Sequence, residues 1–285
     1  MSTLMSQLID QAGNLPPFPQ AAQKSLAMMR DPHCELSGLA EVISVDLVMA
    51  GLLLKAANSA YYGMPHQVAT VREALLIVGF TTSHNLILSS LMASYLFRPV
   101  AGYELQRGEL WRHSLSVAIG AQMLLNPLAN QETTEGYHAG LLCDIGKLAI
   151  QVLVRDMVAD RPEFQSKSFD WIEQQQLGVS HAELGAEMAR RWSLPEPIVE
   201  AIEFHHQPMH ATRYPVLAAA IHVADAATSM LGIGIGIDGL RYPFEARAVE
   251  ILKTSEKDLF GLCSRIADEI NKVEELIGFT SYGLR

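Results

Sequence analysis

Apolar residues recur along most of this chain at a spacing of three and four, the period of an amphipathic helix. Leu36, Leu39, Ala40 and Ile43 make one such set, and Leu47, Ala50, Gly51, Leu54 and Asn58 make the next. A helix over Ala21–Arg30 is expected before them. It follows the stiff stretch Leu15-Pro-Pro-Phe-Pro19, where each proline fixes its own φ and drives the preceding residue out of the helical region. Thr70-Val-Arg-Glu73 reads as a capping box that opens a helix ending near Gly79, and a further helix runs from about Thr81 to Phe97.

Pro99–Gly108 mixes proline, glycine and polar residues and sets a first boundary. Beyond it Leu110, Ser114, Val117, Ala121 and Leu125 mark a helix face, Asn126–Gly136 reads as a loop, and Tyr137–Val154 as a central helix or helix pair. Ser180-His-Ala-Glu183 and Ser193-Leu-Pro-Glu196 read as two more capping boxes, the second with a proline in its first turn, where the missing donor does little harm. Pro208 closes that helix, Pro215 opens another through Met230, and Ser255–Ile277 repeats apolar residues from Leu259 to Ile277. Ile233-Gly-Ile-Gly-Ile237 alternates, but neither a Lys-Ser/Thr pair nor a helix start follows it, so it reads as a flexible loop and not a phosphate loop. The pattern predicts an all-α, multi-helix bundle. Its expected parts are an N-terminal helical subdomain over 1–100, a helical core over 101–231, and a C-terminal loop with helices over 232–285.

Composition narrows the function classes. With 285 residues and 49% hydrophobic content the chain can bury a large core. A formal charge of −10, from 21 basic and 31 acidic residues, lacks the electrostatic footprint of a nucleic-acid binder. Cys34, Cys143 and Cys263 have no Cys-x-x-Cys spacing, which argues against a disulfide framework and fits a reducing, cytoplasmic setting. Met1–Gln11 carries no secretory pattern, and the apolar run Leu86–Phe97 is shorter than the roughly 20 residues of a membrane helix, so no membrane association is expected.

The stretch Gly140-Leu-Leu-Cys-Asp-Ile-Gly-Lys147 sets a thiol, a carboxylate and an ammonium side by side at the end of an apolar run. Cys143 and Asp144 are candidate ligands of one divalent cation, and Lys147 is a candidate catalytic charge for a phosphate. A helix end with a buried Cys, a capping Gly and a solvated Lys accounts for the same residues. His113, His181, His205, His206 and Asp225 each fall on or at the end of an expected helix, as the ligands of metal sites in helical proteins do. Imidazole with carboxylate suits Fe, Zn, Mn or Ni. His205 and His206 are neighbours about 100° apart on a helix, which leaves one of them idle. His222, three residues before Asp225, is placed to hydrogen-bond it instead of leaving it to a metal. No Ser-His-Asp arrangement or nucleophile elbow is present, so acyl transfer has no support.

His113 in Trp-Arg-His-Ser, then Leu-Leu-Cys-Asp-Ile-Gly-Lys, then Ala224-Asp225, resembles the HD superfamily of metal-dependent phosphohydrolases, whose signature is His, a His-Asp doublet and a later Asp. Cys143 stands at the doublet's His position. His181 in His-Ala-Glu-Leu-Gly and the pair His205-His206 are similar to the extra ligands of the HD-GYP branch, which hydrolyses cyclic di-GMP, but no Gly-Tyr-Pro element follows the pair. Leu15-Pro-Pro-Phe-Pro, Val42-Ile-Ser-Val-Asp46, Leu54-Lys-Ala-Ala-Asn-Ser-Ala-Tyr-Tyr-Gly63 and Ala74-Leu-Leu-Ile-Val-Gly-Phe80 resemble the HDOD family of bacterial signalling output domains, over about residues 10–230.

That resemblance implies an HD-like helical fold with an eroded doublet and a regulatory, non-catalytic role through a signalling partner, with a homodimer as a further expectation. The alternative it carries is a metal-dependent phosphohydrolase acting on a nucleotide or cyclic dinucleotide. A ligand lost from a metal site costs at least the ten- to hundred-fold of a change in the residues behind the ligands, roughly. Position 143 therefore separates the two: a thiolate there still makes a mixed metal site, while its negative charge makes a bound water less acidic.

Overall fold

The structure, a computed structural model, describes residues 23, 28, 36–44, 46–128, 132–158, 167–277, 279–280 and 283–284. The stretch Leu15-Pro-Pro-Phe-Pro19 and most of the expected helix Ala21–Arg30 lie outside them. The described chain is α-helical apart from a short antiparallel pairing of Phe279–Thr280 with Gly283–Leu284. It divides into two compact units, one over Tyr95–Ile270 and the other formed by the described residues of 18–94 with those of 271–285.

In the second unit, α1 (Leu36–Ser44), α2 (Leu47–Ala57) and α3 (Val71–Val78) pack on one another. Asp46 starts α2, its carboxylate accepting the Val48 and Met49 N–H groups at 2.9 and 3.1 Å. Asn58 ends it, donating to the carbonyls of Leu54 and Val68 and accepting the Val68 N–H, so the Ala-Asn-Ser-Ala-Tyr-Tyr-Gly motif holds the α2–α3 connection in place. Thr70 accepts the Glu73 N–H as a cap, but the Glu73 carboxylate meets His66 at 3.0 Å, so only half of the expected box is made there. Gly79, at φ 85°, breaks α3 from α4 (Phe80–Leu96).

In the Tyr95–Ile270 unit, α5 (Glu109–Leu125) is buried along most of its length and packs against α6 (Glu132–Leu142) and α11 (Pro215–Met230). The expected loop Asn126–Gly136 is shorter than predicted, since a turn of 3₁₀ helix occupies Asn126–Leu128 and α6 has begun by Glu132. The central helical run is a pair: α6 stops at Leu142 and α7 (Lys147–Val158) starts after the turn Cys143–Gly146. Glu135–Val154 is long and apolar enough to cross a membrane by composition alone, but 83% of its most apolar part is buried, as in a core helix. α8 (Phe169–Leu177) leads to Ser180, whose side chain and that of Glu183 form the full capping box that starts α9 (His181–Arg191).

The second box is not made. α10 (Glu196–Phe204) is preceded by Pro195 without a side-chain cap, and Ser193 sits at φ 57° as part of the turn that ends α9. Two prolines at 195 and 197 leave fewer backbone donors for a cap to satisfy. α12 (Arg247–Ile251) and α13 (Glu256–Ile277) follow the glycine-containing strap 231–246, which is ordered against the core instead of free: the Ile237 N–H donates to the Tyr103 carbonyl at 3.0 Å.

Candidate metal centre

The turn Cys143–Gly146 and the first residue of α9 meet at van der Waals limits. A Cβ on Gly146 would lie 1.9 Å from the His181 carbonyl oxygen, so only glycine lets α9 start this close to Asp144. The last turn of α10 brings up His205 and His206, and the ligand atoms of Asp144, His181, His205 and His206 all lie within 4.8 Å of one another. All four side chains are buried. His205, just past the end of α10, keeps helical φ and ψ of −62° and −25°, and its ring lies with its centroid 3.9 Å from that of His206. Both rings offer a ligand atom to the group.

His113 and Asp225 abut the cluster. His113 donates from Nδ1 to the Ile233 carbonyl at 2.9 Å and turns Nε2 to Asp225 Oδ1 at 2.9 Å and Asp144 Oδ2 at 3.5 Å. Burial opposes its charge, but the hydrogen bond and charge of Asp225 prevail and hold the imidazole above its ordinary range. Asp225 reaches the other side too, its Oδ2 lying 3.7 Å from His206 Nδ1. His222 is not its partner: the ring donates from Nδ1 to the His205 carbonyl at 2.8 Å and accepts the Glu245 N–H at Nε2, so it buttresses the histidine pair.

Sequence reasoning missed three residues that define the site. Glu173, fully buried on α8, accepts both the backbone N–H and Nδ1 of His181 at 2.7 Å and takes the Tyr103 hydroxyl on its other oxygen. This points His181 Nε2 at Asp144 and His206, 3.4 and 3.1 Å away. Asp238 on the strap binds Lys147 Nζ at 2.7 Å, and Tyr242 stacks on His206 with centroids 3.6 Å apart. Glu173 alone carried a signal, as an acid on the helix that precedes the Ser180 cap; the other two stand far along the chain from what they touch.

Cys143 stands apart from the cluster. Its thiol donates to the Gly140 carbonyl at 3.2 Å, and burial followed by the charges of Asp144 and Asp225 pushes it well above the ordinary thiol range. Without a metal it is a protonated thiol, and it is not among the ligand atoms that lie within 4.8 Å of one another. Lys147 is likewise not presented to a solvent-borne phosphate: Nζ lies 3.0 Å from Asp144 Oδ2 and 2.7 Å from Asp238 Oδ2, and it faces the rings of Tyr103 and Tyr242. Burial opposes its charge, but Asp144 and then Asp238 hold it protonated.

The donor set fits a divalent cation. Asp144 Oδ1, His205 Nε2 and His206 Nδ1 are buried without a hydrogen-bond partner, an arrangement that costs about 1–3 kcal/mol per atom unless something else binds there. Nδ1 of His205 donates to the Ile202 carbonyl at 2.7 Å, which leaves a lone pair on Nε2. Burial, then the neighbouring His181, lowers the His205 pKa to about 4, so it is neutral and ready to ligate. Burial and the flanking histidines press His206 well below its usual value as well. Burial opposes the charge of Asp144, but Lys147, His181 and His113 keep it ionised. Three imidazoles and a carboxylate suit Zn, Fe, Mn or Ni.

Residues 15–208 match the HDOD domain family. The chain belongs to that family. It is 28% identical over 236 residues to a Treponema pallidum protein, a match over 80% of this chain that spans 45% of the relative's length. The fold of the HDOD chain matches that of an HDOD domain protein from Geobacter sulfurreducens at 24% identity and a TM-score of 0.75, covering 96% of this chain and 98% of the other. A candidate phosphohydrolase from Shewanella amazonensis is 25% identical at a TM-score of 0.70, with 97% of each chain covered.

Proposed function

We propose that this HDOD chain is a non-catalytic signalling module that holds one divalent transition metal within its helical core and acts through contact with a protein partner. The observation that carries the reading is the closure of the metal centre. Tyr242 lies parallel over His206, and the cation beside Asp144, Lys147, is neutralised by Asp144 and Asp238. The cleft of about 430 Å³ that does reach His206 is lined by Asp170, Glu183 and Glu203, the last paired with Arg190, and offers a phosphoester no lysine or arginine. Cys143, protonated and turned to Gly140, adds no ligand at the doublet position.

Asp144, His181, His205 and His206 are the residues that would hold the ion. When bound, it supplies positive charge that cross-links the turn after α6, the start of α9 and the end of α10. The chain's own groups do the rest: Glu173 orients His181, His222 orients the His205 carbonyl, and Tyr242 covers one face of His206.

Incubation of the Zn-, Fe-, Mn- or Ni-loaded protein with phosphomonoesters, nucleotides and cyclic dinucleotides tests the reading. The expected result is no turnover above the free-metal control. Turnover that disappears in Asp144→Ala would establish the phosphohydrolase alternative instead.

A further inference from the structure

On the side of Asp144 away from the three histidines lies a second set of buried groups. His113 Nε2 lies 3.5 Å from Asp144 Oδ2 and 2.9 Å from Asp225 Oδ1, and Asp144 Oδ2 and Asp238 Oδ2 flank Lys147 Nζ, so three carboxylates and one imidazole follow one another here, all 2–8% exposed. Such a set, taken by residue type alone, is a site for a hard divalent cation. What stands among them is Lys147 Nζ, 3.0 Å from Asp144 and 2.7 Å from Asp238, with Asp225 also close enough to favour its charge. The ammonium also faces the rings of Tyr103 and Tyr242, with Nζ 5.4 and 5.9 Å from their centroids.

We propose that Lys147 is a built-in cation that fills the place of a second metal, so that the centre takes one ion, at Asp144 Oδ1 and the three histidines, and not a bridged pair. The inference rests on the metal reading above and deepens it. An ammonium at 2.7–3.0 Å from two carboxylates and a divalent ion coordinated by the same oxygens cannot share one position, and their like charges repel strongly in a buried site. The strap takes part because Asp238 supplies one carboxylate and the Ile233 carbonyl holds His113 Nδ1.

The test is metal stoichiometry. Wild-type protein saturated with Mn²⁺ and freed of excess is expected to hold one ion per chain and to give the electron paramagnetic resonance spectrum of an isolated Mn²⁺. Lys147→Met keeps an apolar stem and removes the charge, and is expected to hold two ions with the broadened signal of a coupled pair. The double variant Lys147→Met/Asp238→Asn should return to one. A coupled pair in the wild type, or one ion in both wild type and folded Lys147→Met, overturns the inference while leaving the metal reading intact. No ion in the wild type overturns the metal reading and this inference with it. Should Lys147→Met not fold, the wild-type spectrum alone decides, isolated or coupled.

Discussion

The ring of Tyr242 lies parallel to that of His206, with centroids 3.6 Å apart and planes inclined by 6°, while the tyrosine hydroxyl donates to Asp238. One side chain from the strap thus covers a candidate metal ligand and steadies the carboxylate that binds Lys147. Removing it should expose the centre without removing a ligand. Tyr242→Ala is expected to retain the metal but to lose it to a chelator roughly ten-fold faster, read by a colorimetric chelator assay. Unchanged stripping kinetics would mean that the strap does not guard the ion.

Glu173 offers a second test, because it touches the centre only through His181. Glu173→Gln keeps the shape but weakens the hold on Nδ1 and places an amide against a Tyr103 hydroxyl that now donates to a carboxylate. Zn²⁺ affinity should fall by about 10- to 100-fold in a competition titration, with helical content retained. An affinity within two-fold of wild type, roughly, would assign Glu173 to packing alone.

Metal binding should release a proton. Burial opposes the charge on His181, but Glu173 first, then Asp144, raise its pKa to about 10, so without metal it is an imidazolium at pH 7. A ligating imidazole must be neutral at Nε2, so the ion displaces that proton and affinity rises with pH. Calorimetric titrations in buffers of different ionisation enthalpy should give heats that differ by about one proton's worth. Heats independent of the buffer would exclude His181 as a ligand.

His84 on α4 sets an acid limit on stability. Burial lowers its pKa to about 4 from 6.5, so between these values the unfolded chain binds more protons than the folded one. Its stabilising contribution is complete above pH 6.5 and is lost as pH falls through 4, amounting to about 3 kcal/mol at most. Urea denaturation of metal-free protein at several pH values should follow that slope, and His84→Gln should flatten it. An identical slope in the variant would move the acid sensitivity elsewhere.

The helices were legible wherever a local rule decides them. Proline at 215 starts α11 where expected, and the Ser180–Glu183 pair makes its box. The rule failed at Ser193, where the chain needed a residue of positive φ to end α9 before a proline-led start could form. In the centre, His113, Asp144, His181, His205, His206 and Asp225 were readable as candidates because each is a ligand type on or at the end of a helix. What they do individually depends on contacts that spacing does not encode. Lys147 is occupied by Asp238, 91 residues away in sequence, and His222 turns from Asp225 at i+3 to the His205 carbonyl. Cys143 was read as a candidate ligand from its place beside Asp144, whereas its thiol donates to the carbonyl one turn back.

The proposed divalent ion sits among Asp144, His181, His205 and His206. Crystals of the metal-loaded protein, measured on both sides of the metal's absorption edge, test it most directly. The account predicts a single anomalous peak per chain bounded by Asp144 Oδ1 and the three imidazoles, and its disappearance in His205→Ala. A chain with no peak there, or with its peak at Cys143, would contradict it.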